Sequence, residues 1–108
     1  MHKRTKALAI PRSVKLLVAK RDSVEDWPCC LYCGKPAPTS DPLAFSCAHY
    51  IARSQGGLGK LENILTLCPY CHALYDQSEK REVMREYFKC YLQIQHKGWN
   101  EADLIYRK

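Results

Sequence analysis

The chain has 108 residues, 17 of them Lys or Arg and 11 Asp or Glu, which is one domain in size with a net charge of +6. A hydrophobic content of 46% excludes a disordered chain, and no apolar run approaches the roughly 20 residues that span a membrane. The basic N-terminus lacks the apolar stretch of a signal peptide, so we expect a cytoplasmic protein without a membrane partner. The positive charge by itself is weak support for a polyanionic partner.

The N-terminal part of the chain divides into an arm, a helix and a loop. Residues 1–10 are expected to form a basic, flexible and poorly anchored arm, followed by a single domain over residues 11–108. A short helix is predicted over residues 11–21, where Leu17 and Val18 belong to an apolar pattern with helical spacing. Three prolines within residues 36–42 predict a loop.

The middle of the chain predicts a two-stranded ribbon. Residues 43–51 have strand character, and period-two alternation places three side chains on one face: Phe45, Cys47 and His49. Three glycines make residues 54–60 a flexible loop, and residues 64–67 form the second short strand.

Helices are predicted to follow the ribbon. One begins near Cys71 or His72, and a longer one covers residues 78–95 and ends before Gly98. Its apolar stripe consists of Val83, Tyr87, Tyr91 and Ile94. Asn100 is placed to cap a last short helix, so C-terminal helices occupy residues 78–106.

The seven cysteines include two pairs with metal-ligand spacing. Each pair has a two-residue spacer: Cys30 and Cys33, then Cys68 and Cys71. Two such pairs supply the four thiolates of a closed structural zinc shell, with Zn–S bonds of roughly 2.3 Å. Cys29 is an alternative to Cys30, with a three-residue spacer. A redox pair is a second interpretation, whereas disulfides would not persist in a reducing compartment.

The segment between the pairs carries residues of catalytic type. His49 is followed by Tyr50-Ile51-Ala52 and then by Arg53-Ser54-Gln55-Gly56-Gly57. Asn63 lies 14 positions after His49, and His72 lies 9 positions after Asn63, directly after the second cysteine pair. Over roughly residues 12–80 the chain resembles the HNH endonucleases, also called ββα-metal nucleases. It looks most like the small members found in phages and prophages.

The resemblance implies an α+β fold, with a small ββα-metal core over about residues 27–80, the four-cysteine zinc site as its staple, and flanking helices. It implies cleavage of DNA phosphodiester bonds, with His49 as general base and Asn63 holding the loop that orients it. A histidine near its ordinary pKa suits the base role. His72 is the implied ligand of a catalytic cation, Mg²⁺ or Mn²⁺ with other divalent ions left open. Asp76 lies one helical turn further on and completes the half-shell.

One position departs from the family pattern. Ala48 stands where many members carry an Asp or a His as a further cation ligand. Cys47 is an additional candidate, although its thiolate is softer than Mg²⁺ prefers. This departure keeps a second hypothesis open, a non-catalytic zinc-stapled module that binds nucleic acid or protein.

Further basic residues are predicted to contact DNA. Arg53 is a candidate phosphate contact through its guanidinium fork, and the N-terminal candidates are Lys3, Arg4, Lys6 and Arg12. The phage resemblance adds DNA-packaging proteins as possible partners.

Overall fold

The computed structural model describes residues 3–107, so Met1, His2 and Lys108 of the predicted arm and domain lie outside the described residues. In chain order the main elements are α1 (Lys3–Leu8), α2 (Arg12–Asp22), β1 (Ser46–His49), β2 (Ile64–Leu67), α3 (Pro69–Gln77) and α4 (Arg81–Gln95). Short 3-10 helices lie at Arg53–Gln55, Leu61–Asn63 and Glu101–Leu104. The predicted α+β class is confirmed. Among the described residues, no helix has the length and apolar character to cross a membrane.

The two strands form an antiparallel ribbon in which Ser46 pairs with Leu67 and His49 pairs with Ile64. All of β2 is buried, as its apolar sequence predicts, and its bounds match the prediction. β1 is shorter than the predicted residues 43–51. Its regular pairing ends after His49 because the next N–H groups turn towards Asn63: Tyr50 donates to the Asn63 backbone and Ile51 donates to its side chain.

The N-terminal segment differs from the predicted flexible arm. Lys3–Leu8 is helical, the Leu8 side chain is 3% exposed, and the Gly59 N–H donates to the Ala7 carbonyl at 3.0 Å. This segment is anchored because its backbone packs closely against the glycine-rich loop: a Cβ on Gly59 would lie 1.9 Å from the Ala9 carbonyl oxygen. This corrects the interpretation of residues 3–10 as a poorly anchored segment.

α2 is fixed to the start of β2 by a pair of charged residues at its C-terminal end. Arg21 donates to the carbonyls of Leu61 and Ile64, and Asp22 accepts from the Thr66 N–H at 3.0 Å. Arg21 also pairs with Asp22 at 2.7 Å, and the Asp22 carboxylate is buried. These bonds compensate the buried charge of Asp22 and hold α2 against β2.

α4 buries a different stripe from the predicted one. Met84, Phe88 and Leu92 are fully buried, whereas Val83 and Ile94 are 68% and 81% exposed. The helix also starts at Arg81 rather than Ser78, because Ser78 has extended backbone angles and caps the end of α3 through the Leu74 carbonyl. The rotation of α4 follows from its partner, since the Phe88 ring packs edge-on against Tyr75 at 5.1 Å between centroids.

The glycine-rich loop is packed on both sides. The C-terminal tail pairs with it, since Tyr106 N–H donates to Gly56 and Leu58 N–H donates to Leu104. A Cβ on Gly57 would lie 1.7 Å from the Ile51 carbonyl oxygen. Close backbone approach therefore accounts for this glycine better than the predicted flexibility. The cap of the last short helix is confirmed, with the Asn100 Oδ1 accepting from Ala102 N at 2.9 Å.

Candidate functional site

The four predicted cysteines converge on one point. The Sγ atoms of Cys30, Cys33, Cys68 and Cys71 all lie within 4.8 Å of one another. The Cys33 and Cys68 sulfurs are 3.7 Å apart, close to the roughly 3.8 Å edge of a tetrahedron with 2.3 Å Zn–S bonds. The donor set and spacing therefore fit a four-thiolate metal site. Cys29 is not in the cluster, which settles the alternative in favour of Cys30.

Local backbone geometry brings the two pairs together. Gly34, with a φ of +79°, closes the turn after the first pair by donating to the Cys30 carbonyl. Cys68 caps the N-terminus of α3, where its sulfur accepts from the Cys71 N–H. A bond from Leu31 N–H to the Thr66 carbonyl ties the first turn to β2, next to Cys68.

The cluster also favours ionised sulfur at one position. Burial alone would raise the pKa of Cys30, but N–H groups of the turn and of Cys68 lower it to about 7. Burial and the neighbouring sulfurs raise the pKa of Cys71. A metal ion would compensate the charge of four closely spaced thiolates, since ligation requires the deprotonated form.

A cavity lies between the ribbon, the start of the glycine-rich loop and α3. It measures about 620 Å³, and its polar lining contains His49, Arg53, His72, Asp76 and Arg81. The structure thus brings His49, His72, Asp76 and Arg53 to one cleft. Among the described residues, the predicted basic residues Lys3, Arg4, Lys6 and Arg12 do not line it; the first three lie on α1, and Arg12 lies at the exposed start of α2.

His49 is held at the end of β1 with one ring nitrogen fixed. Its Nε2 lies 2.9 Å from the Leu8 carbonyl oxygen. Because a carbonyl only accepts, Nε2 carries the proton in the neutral ring and Nδ1 keeps its lone pair. Burial lowers the pKa of His49, the Leu8 carbonyl opposes this, and the Arg53 charge lowers it further. His49 is therefore a neutral imidazole near pH 7.

Asn63 lies behind the cleft and is fully buried. Its Oδ1 accepts from Ile51 N–H at 2.8 Å, and its Nδ2 donates to the carbonyls of Ile51 and Leu58 at 3.2 and 2.8 Å. These bonds cross the loop that follows His49. The side chain is thus placed to stabilise the loop and does not line the cavity.

His72 and Asp76 lie on one face of α3. Their side chains approach at 3.2 Å between Nε2 and Oδ2, and both are partly exposed. The Ser46 hydroxyl lies 2.9 Å from His72 Nδ1. If that hydroxyl accepts from Nδ1–H, the Nε2 lone pair faces the cleft beside the carboxylate. One imidazole nitrogen and one carboxylate oxygen then fit a divalent cation with a sparse protein shell.

The two residues before His49 on β1 differ as candidate ligands for a cation. Ala48 is buried and supplies no ligand atom. Cys47 lines the cavity, but burial raises the pKa of its thiol. A neutral thiol is a poor ligand for a hard cation.

Two side chains at the cleft were missed by sequence reasoning. Arg81, at the start of α4, donates to the Tyr75 carbonyl at 2.8 Å and lies 4.2 Å above the Tyr75 ring. Ser46 contacts His72 across 26 residues of sequence. No local spacing identifies either residue. Arg81 lies in the first turn of the helix predicted over residues 78–95, a position that does not by itself indicate a contact with the cleft.

One family model matches the central part of the chain. Residues 30–77 match the family model described as HNH endonuclease. That range contains the cysteine cluster, the ribbon, Asn63 and α3. None of the curated proteins compared with the chain matches it.

Proposed function

We propose that the protein is a metal-dependent endonuclease that hydrolyses DNA phosphodiester bonds, on the basis of the HNH endonuclease match over residues 30–77. The observation that carries this proposal is the shared cleft of His49, His72 and Asp76, flanked by two arginines. A general base, a cation half-shell and phosphate contacts are the components that this hydrolysis needs.

His49 acts as the general base. Its Nδ1 takes a proton from the attacking water, while the bond from Nε2 to the Leu8 carbonyl stabilises the imidazolium that forms. The lowered pKa keeps the ring unprotonated before the reaction at neutral pH. Asn63 keeps the loop after His49 in place, as a positioning residue.

His72 and Asp76 would hold the catalytic cation, for which we propose Mg²⁺ or Mn²⁺, since the carboxylate oxygen suits a hard cation that keeps most of its water ligands. When bound, the cation stabilises negative charge on the phosphate and the leaving oxygen. Ser46 orients the His72 ring for this role. Because Ala48 supplies no side-chain ligand, water and phosphate oxygens would have to complete the shell.

The two arginines of the cleft contact the DNA backbone. Arg53 is exposed on the 3-10 helix after β1. Arg81 is held by the Tyr75 carbonyl and ring, which leaves guanidinium N–H groups for a phosphate. The basic side chains of α1 add sequence-independent attraction.

Zinc at the four cysteines stabilises the fold and takes no part in the reaction. A structural zinc site contributes on the order of 10–16 kcal/mol, compared with a net stability of about 5–15 kcal/mol for a domain. A shell of four thiolates leaves no open position for water. The link to phage DNA packaging stays a prediction from the resemblance.

The test is plasmid nicking by the His49→Ala variant, with His96→Ala as the matched control. His96 contacts Arg21 and is not among the cavity's lining residues. Loss of the base should reduce the single-turnover rate by about 100-fold or more, with DNA affinity unchanged, whereas the control should cut normally. Equal cutting by His49→Ala and wild type would overturn the base assignment.

A second candidate function is a zinc-stapled DNA-binding module without turnover, which the missing ligand at Ala48 favours. Treatment with EDTA, followed by Mg²⁺ or Mn²⁺ in excess over the chelator, separates the two. An endonuclease regains cutting with the added ion. A binding module retards DNA in a gel but cuts it under none of these conditions.

A further inference from the structure

The contact that fixes the His49 ring comes from outside the matched domain. Leu8 belongs to α1, 41 residues before His49 and 22 before the matched range begins at Cys30. We propose that α1 is a positioning element for the general base, with the Leu8 carbonyl selecting the Nε2–H tautomer of His49. This inference rests on the proposed function.

The Leu8 carbonyl is available because of its place in the helix. Leu8 is the last residue of α1, and the final carbonyls of a helix have no partner within it. The bond from Ala9 N–H to the Thr5 carbonyl completes the last turn and leaves the Leu8 oxygen directed at Nε2. The imidazole supplies the missing donor.

α1 is held in this place by its own side chain and by a glycine. The Leu8 side chain is buried, and the Gly59 N–H donates to the Ala7 carbonyl. A side chain at position 59 would collide with the Ala9 carbonyl. Ile10, the second residue after α1, already lines the cavity. The position of α1 therefore determines one wall of the cleft as well as the His49 tautomer.

Loss of this docking has a specific consequence. Without the Leu8 acceptor, neutral His49 distributes between two tautomers and its ring rotates about χ2. Only the Nε2–H form presents the Nδ1 lone pair to water. The rate at saturating DNA should therefore fall, while the cation half-shell on α3 and the cysteine cluster stay intact.

Two variants loosen α1 by different means. Leu8→Ala removes the buried anchor, and Gly59→Ala places a methyl group against the Ala9 carbonyl. Thr5→Ala, at an exposed position of the same helix, is the control. Bound zinc and circular dichroism verify the fold. If Gly59→Ala does not fold, Leu8→Ala alone carries the test.

The readouts are the tautomer of His49 and the single-turnover rate. Long-range ¹H–¹⁵N spectra of the imidazoles, assigned with His49→Ala, should show Nε2–H for wild type and Thr5→Ala and a mixture for the two docking variants. Cleavage at saturating DNA should fall by about 10-fold or more in the docking variants only. An unchanged tautomer, or a changed tautomer with wild-type cleavage, would overturn the positioning role. Absence of cleavage by wild type with every cation would refute the proposed function instead, and the spectra would still report on the contact itself.

Discussion

Replacement of Asn63 tests how the loop behind the cleft is stabilised. The side chain makes three hydrogen bonds to backbone groups, one as acceptor and two as donor. Asn63→Ala removes all three and leaves the buried Ile51 N–H without its partner. Asn63→Asp keeps the shape and the acceptor for Ile51, but it places a second oxygen against the carbonyls of Ile51 and Leu58.

The expected loss follows from the number of bonds. Each buried hydrogen bond contributes about 0.5–1.5 kcal/mol net, so Asn63→Ala should lower the free energy of unfolding by about 3 kcal/mol. At about 4 °C or more per kcal/mol, the melting temperature should fall by at least about 10 °C. The exposed cap variant Asn100→Ala loses one bond and should cost about 1 kcal/mol.

The Asn63→Asp variant adds a pH signature. Burial and two facing carbonyls raise the pKa of the introduced carboxyl in the folded state above its unfolded value. Stability relative to wild type is therefore highest at low pH, where the protonated carboxyl donates one bond, and is lost as pH rises through the folded-state pKa.

Urea denaturation followed by circular dichroism, at pH 5 and pH 7.5, measures these differences from wild type at each pH. The pH comparison cancels effects that all variants share, such as weaker metal binding in acid. The reasoning would be refuted by an Asn63→Ala variant no less stable than Asn100→Ala. An Asn63→Asp variant whose deficit is the same at both pH values would also refute it.

Three further predictions concern the metal cluster, the base and the DNA contacts. Cys30→Ser should lose bound zinc and cooperative unfolding, whereas Cys29→Ser should keep both; a wild-type melt for Cys30→Ser would contradict the structural role of the cluster. Burial lowers the pKa of His49 from the ordinary histidine value of 6.5. The pH at which kcat/KM drops on the acid side should therefore lie below 6.5. A bound cation shifts this drop in the same direction, and a drop above pH 6.5 would contradict the assignment. Arg81→Ala should weaken DNA binding and reduce the slope of log affinity against log salt by about one, while Arg85→Ala, whose side chain pairs with Glu101 and does not line the cleft, should leave the slope unchanged.

Features set by short-range spacing could be predicted from the sequence. The cysteine pairs, the strand over residues 64–67 and the Asn100 cap each depend on residues a few positions apart. The choice between Cys29 and Cys30 could not be made, because both spacers suit a metal turn. It is decided by the bonds that close the turn, including Gly34 N–H to the Cys30 carbonyl.

Helix periodicity identified α4 but not its buried face. Two apolar stripes run along this helix one residue apart, and each has helical spacing. Burial of Phe88 rather than Tyr87 depends on where Tyr75 of α3 lies. Local sequence carries no information on that rotation, since it arises only when the two helices pack.

In the cleft, too, the sequence predicts which residues take part but not how their side chains are oriented. His72 and Asp76 lie one turn apart on α3, and His49 lies on β1 within the motif that carries the resemblance. Their orientation depends on partners far along the chain, the Leu8 carbonyl for His49 and the Ser46 hydroxyl for His72.

A glycine in a predicted loop has two interpretations, because the absence of a side chain permits either flexibility or close packing of the backbone. Composition alone predicts a flexible loop at Gly57 and Gly59. In the structure their missing Cβ atoms let the backbone meet Ile51 and Ala9. The residues that orient the base are thus recognisable only once the fold has brought α1 to the loop, and a substitution at position 59 should affect catalysis although no catalytic atom is lost.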